Sequence, residues 1–327
     1  MTNFERLIPL NQPMTAGNVV NAAIQLYRSR WLDYLVLSSQ ALLWLFIALA
    51  LWGMLGVVFT ANPNTFGFAS EHQTGLVVLL IVIAILATVY CGARSLVCGA
   101  TMSRLAFGEL QQQPETRKTA HQWLRRRLWR LFWAFVCYII RLFGVYCLIS
   151  IGVMLILLVV GLVGVALSNH QLALSTETED LIVGILGLII FFGLFVGIVF
   201  TLLWAIARLF VYEVLLAIAD LPQVGKVLGQ SWQLTKGHGV RIIRVIVVAA
   251  LVTLPLLITL QVVMALTQSV MIAIIPLPPD QAALLGSYSI GLIGNFLILP
   301  LWQILKGVAC YDLKSCQEGI DLSLLTS

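Results

Sequence analysis

Seven residues between positions 117 and 130 form the strongest local constellation in the chain: Arg117, Lys118, Trp123, Arg125, Arg126, Arg127 and Arg130. Six cations around an indole suit an anionic lipid surface or a partner protein, and each basic residue near an anionic surface contributes about 1 kcal/mol. The same cluster also reads as a topology signal that holds its segment in the cytoplasm. The two roles are compatible.

A second set brings bases and acids together. Arg94, Arg141, Arg208 and Arg244 stand near the ends of apolar runs, and Glu109, Glu213 and Asp312 follow the runs that return to the same side. A charge at the bilayer centre is costly and would mark a pathway or coupling site. Near a helix end a long arginine snorkels to the headgroups instead. Pairing with the three acids would neutralise both partners and tie each hairpin to its neighbour. At least one such Arg–acid pair is therefore expected within salt-bridge distance.

Nothing else points to catalysis. The four histidines (His72, His121, His170, His238) are scattered, and no H-E-x-x-H, G-x-S-x-G, P-loop or dinucleotide fingerprint occurs. The six cysteines (Cys91, Cys98, Cys137, Cys147, Cys310, Cys316) have no C-x-x-C spacing and no histidine companions, so neither a metal site nor a disulfide framework is expected. No enzyme activity and no cofactor are expected. Gln40, Gln261, Gln268, Asn295 and Gln303 read as interhelical hydrogen-bond formers. A polar cavity near Gln40, Gln261 and Asn295 would instead mark a small transporter or lipid-handling protein. Gly193-x-x-x-Gly197, with Gly184, Gly187, Gly291 and Gly294, allows close helix approach.

These residues must be positioned by membrane helices. Of 327 residues 60% are hydrophobic and 10% charged, against roughly 25% charged in ordinary soluble domains. The apolar runs predict helices at about 35–60, 75–100, 131–167, 181–207, 245–275 and 284–305, with Pro255 a candidate kink in the fifth. The N-terminal 34 residues hold no continuous apolar core, so the first run reads as a retained helix and not as a cleaved signal. The loops at about 61–74, 168–180 and 276–283 contain Glu71, Glu177, Glu179, Asp180 and Asp280 but no Lys or Arg. All nineteen Lys and Arg fall on the other side or at its boundary, which places both termini in the cytoplasm. The net charge of +5 follows from that orientation, and no nucleic-acid recognition fold fits between the spans.

The expected fold is a single all-α polytopic membrane domain over 1–327, with three hairpins each preceded by an amphipathic interfacial helix. Units at 13–112, 113–220 and 221–322 repeat it. In the first amphipathic segment, 15–34, Val20, Ile24, Tyr27, Trp31 and Tyr34 share a face; in the second, 115–132, Ala120, Leu124, Leu128 and Leu131 do. In the third, 221–239, Val224, Val227, Leu228 and Trp232 do so. Such helices are suited to lie flat at the headgroups. The returning helices end in RLAFGEL (104–110), RLFVYEV (208–214) and GVACYDL (307–313), which aligns Glu109, Glu213 and Asp312.

The segments SRLAFGEL (103–110), SWQLTKG (231–237), YDLKSCQEGIDL (311–322) and PMTAGNVVNAAIQLYRSRW (13–31) carry a resemblance. Across essentially its whole length the chain resembles the cyanobacterial glycerophosphodiester phosphodiesterase membrane-domain-like family. The resemblance implies a six-helix membrane module and residence in a thylakoid or plasma membrane. It does not imply hydrolase activity, because the catalytic barrel of the name needs about 250 residues that are not here. The expected role is a scaffold, assembly factor or accessory subunit whose basic cytoplasmic face binds anionic lipid or a membrane protein complex.

Overall fold

A computed structural model describes residues 14–61, 71–169, 176–218, 224–274 and 279–325. Of the loops expected at 61–74, 168–180 and 276–283, residues 62–70, 170–175 and 276–278 lie outside the described residues, whereas 71–74, 176–180 and 279–283 are already helical, so the loops are shorter than the apolar runs implied. The described elements are α1 (Ala16–Ser29), α2 (Trp31–Ala61), α3 (Glu71–Leu110), α4 (Arg117–Arg125), α5 (Leu128–Asn169), α6 (Thr176–Arg208), α7 (Tyr212–Ile218), α8 (Val224–Leu234), α9 (Gly239–Ile274) and α10 (Pro279–Leu325). Six of them, α2, α3, α5, α6, α9 and α10, are long and apolar enough to cross a membrane. The chain is an all-α polytopic membrane protein.

The spanning helices overrun their apolar stretches. The second run, expected to end near residue 100, continues to Leu110, and the last continues through residues 306–325. Neither extension contains an internal proline, and the residues there are mostly adequate helix formers, so nothing stops propagation. Pro255 and Pro300 sit inside continuous helices. Thr259 Oγ1 donates to the Pro255 carbonyl at 2.9 Å, whereas the carbonyl that the proline leaves without its helical donor is that of Leu251. Membrane helices tolerate proline where neighbouring groups take up the freed backbone.

The short helices begin at side-chain caps. Thr15 Oγ1 accepts from the Asn18 amide and Thr116 Oγ1 from the Thr119 amide, satisfying donors that the first helical turn leaves free. Gly237, at φ +83°, ends the turn after α8 and lets the chain reverse into α9.

Packing is concentrated where α1, α4 and α8 meet the ends of the long helices, called here the basic end. Val19, Val20, Ala23 and Leu26 of α1, Ala120 and Leu124 of α4, and Val227 and Leu228 of α8 are buried in one cluster with Ala93–Leu110, Ala207–Ala217 and Ile304–Leu313. The stripe Ala120, Leu124, Leu128 and Leu131 is buried as its spacing predicts. In α1 the covered face is centred on Val19, Ala23 and Leu26, and Trp31 lies outside it at 53% exposure. The amphipathic helices therefore spend their apolar stripes on the protein core. The indoles of Trp31, Trp129, Trp133 and Trp232 stay exposed. Each fully buried leucine contributes about 1.5–3 kcal/mol.

Away from the basic end the long helices face outward. Leu148, Met154, Leu188 and Phe191 are exposed, and the most apolar stretch of α5 buries none of its residues. That much apolar surface requires a lipid solvent.

One crossing sets the spacing of the base. A Cβ on Gly307 of α10 would lie 2.7 Å from the Ser103 carbonyl oxygen of α3 and 3.0 Å from Ala106 Cβ. The two backbones meet there because position 307 has no side chain. Around Gly187, Gly193, Gly197 and Gly291, by contrast, space is open, and Gly294 faces only the flexible Leu260 side chain. The 193–197 pair is thus not a close-approach motif within the bundle. The side chain at 184 lies outside the described residues.

Candidate functional site

The basic cluster divides into two groups when placed on α4 and the start of α5. Lys118, Arg125, Arg126 and Arg130 are exposed and have no partner among the described residues. The other three are engaged. Arg117 pairs with Asp33 at 3.7 Å. Trp123 lies between two guanidinium groups, with Arg127 at 3.6 Å and Arg104 at 4.1 Å from its ring centroid. Arg104 is in turn held by Glu115 through two bonds of 2.8 and 2.7 Å, and it donates to the Ala217 carbonyl at 2.7 Å.

The bidentate contact from Arg104 is the main reason the Glu115 carboxyl titrates below its ordinary range. His121 is also held below its usual value, first by burial and then by the charges of Arg94, Arg125 and Arg117. This part of the surface presents a concentrated positive field.

The three aligned acids all meet a base, but not the ones expected. Glu213, buried at the start of α7, pairs with Lys306 of α10 at 2.5 Å. Asp312 pairs with Arg241 of α9 and accepts from the Met14 amide at 3.0 Å. Arg241 also donates to the Met14 carbonyl, so one guanidinium fastens α9, α10 and the start of α1. Glu109 lies 3.8 Å from Arg30, which also approaches Asp33 and the Glu115 carbonyl.

Among the described residues, Arg94, Arg141, Arg208 and Arg244 pair with none of the three acids, and that expected pairing is corrected here. Arg94 donates to the Tyr90 hydroxyl at 3.0 Å and lies over Trp44. Arg141 and Arg244 are exposed, and Arg208 lies between Trp204 and Trp232. The physical reason is position. Each acid sits about two turns beyond the corresponding apolar run, where Arg30, Lys306 and Arg241 reach it, whereas Arg94 and Arg208 are held over indoles and Arg141 and Arg244 lie on exposed faces.

Glu213 belongs to a buried polar group with Ser103 and Gln303. Ser103 Oγ lies 2.9 Å from both the carbonyl and the Oε1 of Gln303. The Gln303 amide and the Glu213 carboxylate both crowd the place where Gly99 would carry a Cβ. Tyr138 and Tyr212 stack beside them at 4.8 Å. Of the five polar residues noted in the spans, Gln303 alone is seen to be buried. Asn295 donates to Gly291 of its own helix, Gln40 and Gln261 are exposed, and the side chain at 268 lies outside the described residues. Lys306, Arg241, Glu115 and Ser103 carried no distinctive sequence signal. The nearest hint is Lys306 as the first base after the apolar return of α10.

Among the described residues no group of three or more His, Cys, Asp or Glu converges as a metal site. No family model, curated protein or solved structure matches this chain.

Proposed function

We propose that this chain is a non-catalytic membrane module whose basic end faces the cytoplasm and binds the anionic lipid surface there, as a scaffold or accessory subunit. The observation that carries the reading is the set of unpaired, exposed cations at Lys118, Arg125, Arg126 and Arg130, beside the exposed indoles of Trp129 and Trp133. The acids of this region are already engaged with Arg104, Arg30, Lys306 and Arg241, which leaves these four cations for an external anion. Each contributes about 1 kcal/mol near an anionic leaflet, and salt weakens the attraction over a Debye length of about 8 Å. The transporter reading is not favoured, because Gln40, Gln261 and Asn295 are exposed and do not line an enclosed cavity. The resemblance in sequence supports a cyanobacterial thylakoid or plasma membrane as its residence.

The test is fluorescence quenching of the reconstituted protein by brominated lipids. Brominated phosphatidylglycerol is expected to quench its tryptophans more than brominated phosphatidylcholine does, and R125E/R126E is expected to remove the excess. Equal quenching by the two lipids in the unsubstituted protein would refute the proposal.

A further inference from the structure

Arg208 is the one described arginine whose buried guanidinium nitrogens have nothing to bind. Its Nε and Nη1 are shut off from solvent and make no hydrogen bond. The backbone around it is fixed. Ser231 Oγ and Thr235 Oγ1 of the α8 region both donate to the Arg208 carbonyl, at 3.1 and 3.2 Å. That contact brings Trp232 against Trp204, with the two rings edge-on at 5.3 Å, and the guanidinium lies 5.0 and 5.2 Å from their centroids. The first residue of α9 closes the group. A Cβ on Gly239 would sit 3.9 Å from the Trp204 indole nitrogen and 4.0 Å from Arg208 Nε. The helical ladder of α9 begins with the Ile242 amide bonding His238, so the amides before it have no intrahelical acceptor. His238 Nδ1 is buried and unpartnered in the same turn.

The chain contains its own comparison. Arg104 stands five residues before Glu109 as Arg208 stands five before Glu213, in RLAFGEL and RLFVYEV. Arg104 also lies over the tryptophan of the amphipathic helix that follows, Trp123 of α4, as Arg208 lies over Trp232 of α8. The Arg104 fork is filled by both oxygens of Glu115. In the second unit the same arrangement recurs with no carboxylate of the described residues in the fork.

An arginine fork is shaped for two oxygens of one oxyanion. Buried donors left unsatisfied are costly, and an unseen ion is among the standard explanations. A nearby helix start adds favourable potential for negative charge. We propose that Arg208, backed by Trp204, Trp232 and the first turn of α9, binds one phosphate-type oxyanion, supplied by the headgroup of an anionic phospholipid. Trp232, 40% exposed, forms the outer wall of the site and is the side chain that must turn aside to admit the headgroup. This deepens the reading of the basic end as a lipid-binding face and rests on it, but uses none of the α4 cations. It is a single stoichiometric site, where those cations form a diffuse patch.

The experiment uses the full-length protein, delipidated in a neutral detergent and titrated with short-chain phosphatidylglycerol, with native mass spectrometry counting bound lipids and indole fluorescence following affinity. One tightly held lipid per chain is expected, with R208Q weakening it at least tenfold and R125E/R126E leaving it unchanged. If R208Q does not fold, R208K, which keeps the charge and loses the fork, is expected to weaken it at least threefold. Inorganic phosphate is the second probe. Competition by it only far above the lipid concentration supports a headgroup source, and saturation of the indole response by phosphate with no added effect of lipid would overturn that source. Phosphatidylglycerol bound equally by the unsubstituted protein and both Arg208 variants would overturn the site. Asp220, the next acid along the chain after Glu213, lies outside the described residues. D220N is expected to be neutral, and a tenfold gain in lipid affinity would mean that the protein's own carboxylate fills the fork. Loss of brominated-lipid preference in R125E/R126E with the tight lipid retained separates failure of the patch from failure of the site.

Discussion

Replacing Lys306 with methionine tests the packed base at its most charged point. Glu213 is 4% exposed and faces the Lys306 ammonium at 2.5 Å, while the lysine side chain is itself 22% exposed. Removing one partner of a buried pair leaves an uncompensated charge and costs about 3–5 kcal/mol, whereas replacing both partners with neutral groups is often near neutral. Partial exposure of Lys306 sets the expected loss for K306M at the lower end, about 3 kcal/mol. The double variant E213Q/K306M keeps a side-chain amide beside Gln303 and removes the buried charge, so its expected loss is about 1 kcal/mol. Unfolding in mixed micelles of increasing SDS fraction measures both. The predicted signature is a double variant more stable than the single by about 2 kcal/mol, or roughly 30-fold in the unfolding equilibrium. If K306M costs no more than E213Q/K306M, the two groups are not paired as a buried charge couple, and the reasoning fails.

Three further outcomes follow from the same geometry. G307A places a methyl 2.7 Å from the Ser103 carbonyl oxygen and must part α3 from α10; the expected cost is about 1–3 kcal/mol, and G193A, in open space, should be neutral in the same unfolding assay. R241M removes the link among Asp312, the Met14 carbonyl and α1, so limited proteolysis should cut near residue 14 sooner than in the parent, and equal rates would contradict that fastening role. His121 is held below its ordinary value of 6.5, so the unfolded chain takes up its proton first as pH falls. Stability should therefore drop as pH passes down through that ordinary value and level off below the folded-state value. A melting temperature in H121Q that declines less than the parent between neutral pH and pH about 5 is the expected result, and parallel declines would exclude the histidine.

Membrane class, span number and the α4 stripe were legible because long apolar runs and a 3.6-residue period are local properties of the chain. Trp31 was placed on the same apolar face as Val20 and Ile24 by spacing, but α1 ends at Ser29 and a new helix starts at Trp31, so the phase resets between them. The acids Glu109, Glu213 and Asp312 are legible as a set from their aligned places after the returning runs, while the bases they meet are not. Lys306 and Arg241 reach them only through the way α10 packs on α3, α7 and α9, which no spacing encodes. The glycine reading held only in part. Gly294 meets the Leu260 side chain, but Gly-x-x-x-Gly at 193–197 is a visible pattern in open space, and Gly307, where two backbones meet, belongs to no pattern along the chain. Arg208 was read as an acid partner because its unfilled fork becomes evident only beside the filled one at Arg104.

The central claim, a lipid-binding basic face, is tested most directly by gentle-detergent purification of the tagged protein from its native membrane, followed by native sizing and mass spectrometry of the parent and R125E/R126E side by side. The account predicts several anionic phospholipids co-purifying with the parent and depletion in the variant to the single lipid held at Arg208, with both proteins equally folded. A stoichiometric protein partner that is lost in the variant while the lipid content stays the same would contradict it, and would identify the basic face as a protein-docking surface instead.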